Sequence, residues 1–263
     1  MNVRALSGHA EFAEAVRLQK VIWGFPDLEL LPVRFFVVAS RIGGQTFGAF
    51  EGNRMAGFLL AIPGIKKDTG LPYLHSHMLG VLPDYRDSGI GRMLKTAQRE
   101  DALARGIRLI EWSFDPFEAK NAYFNLEVLG AIVRTYIPNM YGITASPLHA
   151  DLPTDRCIAE WWLAESPSKG QVTARVSLPP RKTRESQETL ARELQRHFAD
   201  GLAVTGFERS TFEHSSDTGT YLLSPWPSKS KRSLFARSPC RWCISSKPAL
   251  AGPRTAGSSW WKS

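Results

Sequence analysis

The 263-residue sequence contains no run of about 18 apolar residues, so a membrane span is not expected. Met1 to Ala10 lacks the basic segment and apolar stretch of a secretory leader. Only three cysteines occur, Cys157, Cys240 and Cys243, too few for a disulfide framework, and a reducing cytoplasm is the expected setting. Cys240 and Cys243 have the spacing of half a zinc site, but no second Cys or His pair accompanies them nearby, so no metal is expected. Residues 224–263 lack Asp and Glu altogether, yet they hold eight of the 33 Lys and Arg. The other 25 basic residues balance the 25 acidic ones, so the net charge of +8 belongs to this tail. Rich in Ser and Pro and without a helical or strand period, the tail is expected to be disordered. Its charge does not line an aromatic-laced groove, so no specific nucleic-acid partner is expected. The abrupt change of composition near Leu223 suggests an out-of-frame translation, an idea that an intact reading frame through residue 263 would exclude.

What is present concentrates between Tyr73 and Gly91. The hydrophobic run Met78-Leu79-Gly80-Val81-Leu82-Pro83 leads into Arg86-Asp87-Ser88-Gly89-Ile90-Gly91. Two glycines allow close approach of the backbone to a ligand, and a helix starting here points unpaired N–H groups and its positive dipole end at the same spot. A diphosphate fits that description. Ile90, Met93, Leu94, Ala97 and Ala104 follow helical spacing for a buried face, with Arg92, Lys95 and Arg99 on the surface and a stop at Gly106. A dinucleotide fingerprint would require a third glycine that is missing after Gly91, and an arginine stands three residues before Gly89.

The remaining pattern predicts a strand over Val3 to Leu6, a helix from Phe12 to about Gly24 and a shorter helix from Pro32 to Arg41. Strands over Thr46 to Glu51 and Arg54 to Ile62 follow, joined at Gly52-Asn53. After a polar loop come a strand over Tyr73 to Val81, the glycine-loop helix, a strand over Ile107 to Phe114, a helix from Glu118 to Leu129 and a strand over Ala131 to Tyr136. Beyond Leu152, a strand over Thr154 to Leu163, an amphipathic helix over Arg184 to Phe198 and a strand over Leu202 to Phe207 are predicted. No internal repeat occurs.

The order Val-Leu-Pro-x-x-Arg-x-x-Gly-Ile-Gly and this succession of elements resemble the GNAT superfamily of N-acyltransferases. Glu111-Trp-Ser-Phe-Asp-Pro116, Asn121-Ala-x-Phe-Asn-Leu126, Pro138-Asn-x-Tyr-Gly142 and Pro153-Thr-Asp-Arg156 resemble a poorly characterised branch of that family with a C-terminal extension. The resemblance implies an α+β (α/β) fold, with a mixed, mostly antiparallel central sheet whose middle strands splay and which helices flank, plus a C-terminal α/β extension. It divides the chain into an acyl-CoA-binding core over 1–145, an extension over 146–223 packing on the core, and the tail over 224–263. It implies acetyl-CoA or a related acyl-CoA as co-substrate, held by Arg86, Asp87, Ser88, Gly89, Ile90 and Gly91, with backbone N–H groups around Leu79, Gly80 and Val81 facing the thioester and Asn121 beside it.

Acyl transfer to an amine needs a base, an oxyanion site and an acid for the departing thiolate. Strand alternation puts Glu111, Ser113 and Asp115 on one face, and His75 and His77 on one face of the preceding strand. Glu111 either faces the cleft or is held by an arginine such as Arg108 or Arg134. His77 is a second base candidate beside His75. The tyrosine that many members of the family use as the acid is replaced by Leu126, leaving Tyr141, Tyr123 or solvent. Cys157 reads as a small buried strand residue rather than a nucleophile. Enclosure by the extension favours a small-molecule amine acceptor. Arg134 and Arg156 offer a bidentate grip on a carboxylate, as in an amino acid, unless they pair with Glu111 or Asp155. A protein-lysine acetyltransferase and a non-catalytic acyl-CoA-binding module are the alternatives, and a homodimer is an open assembly state.

Overall fold

Hydrophobic residues recurring at two periods build one sheet between two helical layers. A computed structural model describes residues 1–142, 152–164, 170–210 and 218–226, and the pair Cys240 and Cys243 lies outside them. In chain order the elements are β1 (Asn2–Ala5), α1 (Gly8–Trp23), α2 (Val33–Arg41), β2 (Gln45–Glu51), β3 (Arg54–Ile65) and β4 (Pro72–Val81). They continue with α3 (Ile90–Ala104), β5 (Leu109–Phe114), α4 (Ala119–Tyr123), β6 (Ile132–Ile137), β7 (Arg156–Trp162), β8 (Ala174–Ser177), α5 (Arg184–Ala199), β9 (Leu202–Arg209) and β10 (Gly219–Pro225). The strands form one sheet in the order β1-β2-β3-β4-β5-β7-β6-β9-β10-β8, all neighbours antiparallel except β4 and β5. This is the mixed, mostly antiparallel sheet expected of the sequence.

The alternation along β3 assigns the layers. Phe58 and Leu60 pack with Phe12, Leu18 and Phe36 of α1 and α2, while Leu59 and Ala61 pack with Ile90 and Leu94 of α3. Farther along the sheet, Trp112, Val133 and Val204 meet Ala122 of α4 and Leu190 and Leu194 of α5. Helices α3, α4 and α5 thus cover one face and α1 and α2 the other. The β2–β3 hairpin closes with Glu51 opposite Arg54, Gly52 taking φ 57°, where a side chain would be strained.

Three features differ from expectation. β7 inserts between β5 and β6, so the extension shares the sheet rather than only covering it. The predicted helix after β5 is α-helical only to Tyr123 and continues as a π-turn over Phe124–Val128, with Leu129 N donating to Phe124 O. The inward face of α3 is partly polar: Lys95 and Gln98 are buried with Ile90 and Leu94, whereas Met93 is exposed.

Candidate functional site

Strands β4 and β5 run side by side only at Leu74/Ile110 and His75/Glu111, and from Ser76 and Trp112 onward no backbone ladder joins them. Past this point β4 pairs only with β3, and β5 only with β7. One edge of each strand therefore faces a widening fork, with Leu79, Gly80 and Val81 along the β4 prong. The divergence coincides with a β-bulge: the β3–β4 register steps from Leu60/Met78 to Ala61/Ser76, leaving His77 as the extra residue. Before the bulge Ser76 faces α3. After it Gly80 faces α1, where a Cβ would meet Ile22 and Trp23 at 2.8 Å.

At the open end of the fork lies the glycine loop. Leu82 N donates to Ala56 O, a short turn spans Pro83–Tyr85, and Ser88 Oγ donates to Tyr85 O at 2.5 Å. Asp87 and Gly89 adopt φ 62° and 84°, and α3 starts from Gly89 with no side chain capping it. Its first N–H groups have no intrahelical acceptor, so the positive end of α3 is left for an external anion. Arg86, Asp87, Ser88 and Gly89 are exposed, while Ile90 anchors the helix in the core. Lys120 of α4 pairs with Asp87 at 2.6 Å, and Phe124 lies 4.0 Å from where a Cβ on Gly91 would stand. Asn121, exposed in the first turn of α4, thus belongs to the wall beside the loop.

On the α1/α2 side of the fork, the register brings His75, Glu111 and Glu160 into one row. The His75 and His77 ring centroids are 5.8 Å apart, and Phe35 of α2 lies 6.3 Å from His77. Burial, then His77 and Lys95, pushes the His75 imidazole down to about 4, and burial lowers that of His77. Glu111 is 5% exposed and accepts from Lys66 Nζ at 2.7 Å. Desolvation raises its pKa, with Lys66 opposing.

Of the two alternatives for Glu111, facing the cleft or being held by an arginine, the second is met in kind by a lysine. Arg134 instead grips Glu160 through two hydrogen bonds of 3.0 and 2.6 Å, since it shares a face of β6 with Ile132, the register partner of Glu160. Arg134 is therefore not open to the carboxylate of an acceptor. Asp155 is likewise taken: it accepts from Tyr136 Oη at 2.6 Å and Asn139 N at 2.9 Å. Asp115 accepts from Lys182 and from Phe117 N, and so serves the turn after β5.

The motifs Pro138-Asn-x-Tyr-Gly142 and Pro153-Thr-Asp-Arg156 prove to be one hydrogen-bonded unit. Tyr141 N donates to Thr154 Oγ1, Thr154 Oγ1 to Gly142 O, and Thr154 N to Asn139 Oδ1. Their joint effect is to lay Tyr141 Oη 2.8 Å from Ser113 Oγ, two residues along β5 from Glu111, with the Arg156 guanidinium 5.5 Å from its ring. Tyr123 instead stacks under Arg209 at 4.1 Å, and Leu126 is fully buried in the core. Cys157 is buried, and burial pushes its thiol far up, which suits a packing role. Sequence reasoning missed Lys66, which a polar loop concealed, and Lys95, whose charge read as surface. Among the described residues no group of three or more His, Cys, Asp or Glu could hold a metal ion, and no helix is long and apolar enough to cross a membrane.

Residues 12–124 match the model of the acetyltransferase (GNAT) family. No curated protein matches the sequence significantly. Among solved structures, yncA of Salmonella typhimurium, determined with its cofactor acetyl-CoA, superposes with a TM-score of 0.51 at 15% identity, over 65% of this chain and 98% of that one. The ribosomal-protein-alanine N-acetyltransferase of Brucella melitensis gives a TM-score of 0.50 at 15% identity, over 62% of this chain and 100% of that one. The matched residues include the glycine loop and the fork, and over them the chain is similar to the GNAT acetyltransferases.

Proposed function

We propose that this protein transfers an acetyl or other short acyl group from acyl-CoA to the amine of a small molecule, by direct attack with both substrates bound. The observation that carries the reading is the uncapped start of α3 at Gly89, beside exposed Arg86 and at the mouth of the β4–β5 fork. A pyrophosphate at that helix end would receive the N–H groups of Ile90 and Gly91, with Arg86 and Ser88 around it. The pantetheine arm would follow the free edge of β4, where strand alternation aims the backbone N–H groups of Leu79 and Val81 toward the thioester oxygen, while that of Gly80 faces β3 as that of Leu82 does in bonding Ala56 O. One such donor can lower the barrier by roughly 3 kcal/mol. No covalent nucleophile is then required.

The acceptor approaches from the α1/α2 side. His77 is the accessible base, kept neutral by its surroundings and so able to take a proton from the attacking nitrogen. Glu111, enclosed and bonded to Lys66, contributes field and orientation rather than direct contact. The nitrogen lone pair bonds to the carbonyl carbon, the C–S bond breaks, and the thiolate takes a proton from Tyr141 or solvent. The extension's contribution to this face, through Thr154 and Asp155, which hold the Tyr141 segment of the core, favours a small acceptor over a protein lysine.

A non-catalytic acyl-CoA-binding module is the second reading, favoured by Leu126 at the usual tyrosine position. A free-CoA release screen over amino acids, simple amines and lysine peptides, with acetyl-CoA and succinyl-CoA as donors, separates the possibilities. Turnover with small amines is expected. Tight acyl-CoA binding without turnover would support the module, and turnover of lysine peptides alone would overturn the small-molecule assignment.

A further inference from the structure

Lys95 is a buried titratable group that neither the glycine loop nor the acceptor face uses. It points from α3 into the sheet, 3% exposed. Its Nζ donates to Ser76 Oγ at 2.9 Å and to Gln98 Oε1 at 3.0 Å, and lies 3.7 Å from the Trp112 ring centroid. These partners are neutral, and among the described residues no carboxylate pairs with it. Asp101 is reached only through Gln45, which donates to Asp101 Oδ2 and Gln98 O and accepts from Gln98 Nε2. Burial holds the amine well below the ordinary lysine range. An apolar side chain of similar length would fill this place at lower cost, so packing alone does not account for a lysine.

Its place in the fork does. Leu74/Ile110 and His75/Glu111 are the paired positions of β4 and β5, and Ser76 and Trp112 are the next residue on each strand, where the backbone ladder has stopped. The Lys95 amine is therefore the polar contact that bridges the two prongs at the closed end of the fork, with Gln98 and Gln45 holding it from behind.

We propose that Lys95 is a positioning residue for acyl transfer, a clasp between Ser76 and Trp112 that fixes the width of the fork where the acyl group is received. This inference rests on the acyl-CoA reading given above.

The test compares wild-type protein, Lys95→Met and the gentler Ser76→Ala. For each, the melting temperature, the acetyl-CoA Kd by calorimetry, and kcat with acetyl-, butanoyl- and hexanoyl-CoA are measured on the full chain. Lys95→Met should melt at or above the wild-type temperature and bind acetyl-CoA with nearly wild-type affinity, since the glycine loop is untouched. Its kcat with acetyl-CoA should fall by about 10- to 100-fold, the scale of a small misplacement of reacting groups, and its preference for short over long acyl chains should flatten. Ser76→Ala should shift both readouts the same way, to a smaller degree. Unchanged kcat and chain-length preference in both variants would overturn the clasp, as would a loss of kcat that merely tracks a lower melting temperature. Failure of the wild type to bind any acyl-CoA would overturn the functional reading as well, a result distinct from either of those.

Discussion

At the scale of single residues, the site is assembled from groups whose charge is suppressed or shared. His75 is the clearest case. Its pKa falls from an ordinary 6.5 to about 4 in the fold, so the folded protein binds this proton less readily than the unfolded chain. The stabilisation is therefore complete above about pH 6.5 and is lost as pH falls toward 4, amounting to about 3 kcal/mol over that interval. Urea unfolding of wild type and His75→Asn at pH 7 and pH 5 should show a smaller acid loss in the variant, by about 2 kcal/mol. Equal losses would show that His75 is not desolvated as described. The sequence made His75, His77, Glu111 and Tyr141 visible as candidates because polar residues on strand and loop positions are conspicuous. It did not reveal their partners. Lys66 and Glu160 lie 45 and 49 residues from Glu111 along the chain, and only the register of β4, β5 and β7 brings them near. Lys95 was hidden for another reason: in a helical period a lysine reads as solvent-facing, and nothing local announces Ser76 and Gln98 as its partners.

At the scale of elements, most helices and strands followed from periodicity, since their buried faces repeat at the spacing that packing requires. What escaped were elements whose identity is set elsewhere. β8 is four residues long with Val176 as its one buried hydrophobic, and β10, which lies between β9 and the edge strand β8, runs across the point where the composition changes. Ser224, just past the change of composition, is fully buried and donates to Gly170 O. The π-turn at Phe124–Val128 involves one extra residue per turn and leaves no sequence trace, yet Asn125 within it accepts from Trp112 Nε1 at 3.2 Å. The pairing of the Pro138–Gly142 and Pro153–Arg156 segments gives a prediction at this scale. Asp155→Ala leaves the buried Tyr136 hydroxyl and the part-buried Asn139 N–H without their acceptor, which should cost about 1–3 kcal/mol of stability. Because Tyr141 hangs on the same unit, kcat should also fall while the acetyl-CoA Kd stays near the wild-type value. A normal kcat in a folded Asp155→Ala protein would remove Tyr141 from the reaction.

At the scale of the described unit, Met1–Trp226, chain order and sheet order part company between β5 and β6, where β7 is interleaved. Local patterning cannot disclose such a non-local pairing. The extension supplies the strand that holds Glu160 opposite Glu111 and the Thr154 contacts that hold Tyr141 on Ser113, so the region beyond the family match is built into the proposed acceptor side of the fork. The proposed acyl-CoA side, in contrast, lies within the matched residues 12–124, and its glycine loop is visible in the sequence alone.

The binding of acyl-CoA at the start of α3 is tested most directly by calorimetric titration of acetyl-CoA into the full chain and into Arg86→Glu and Gly89→Trp. Gly89 is exposed and its surroundings are open, but its φ of 84° is unfavourable to any side chain, so the substitution should distort the loop without unfolding the core. Saturable binding by the wild type, lost in both variants while their circular dichroism spectra remain unchanged, is the predicted result. Equal affinity in all three proteins would contradict it.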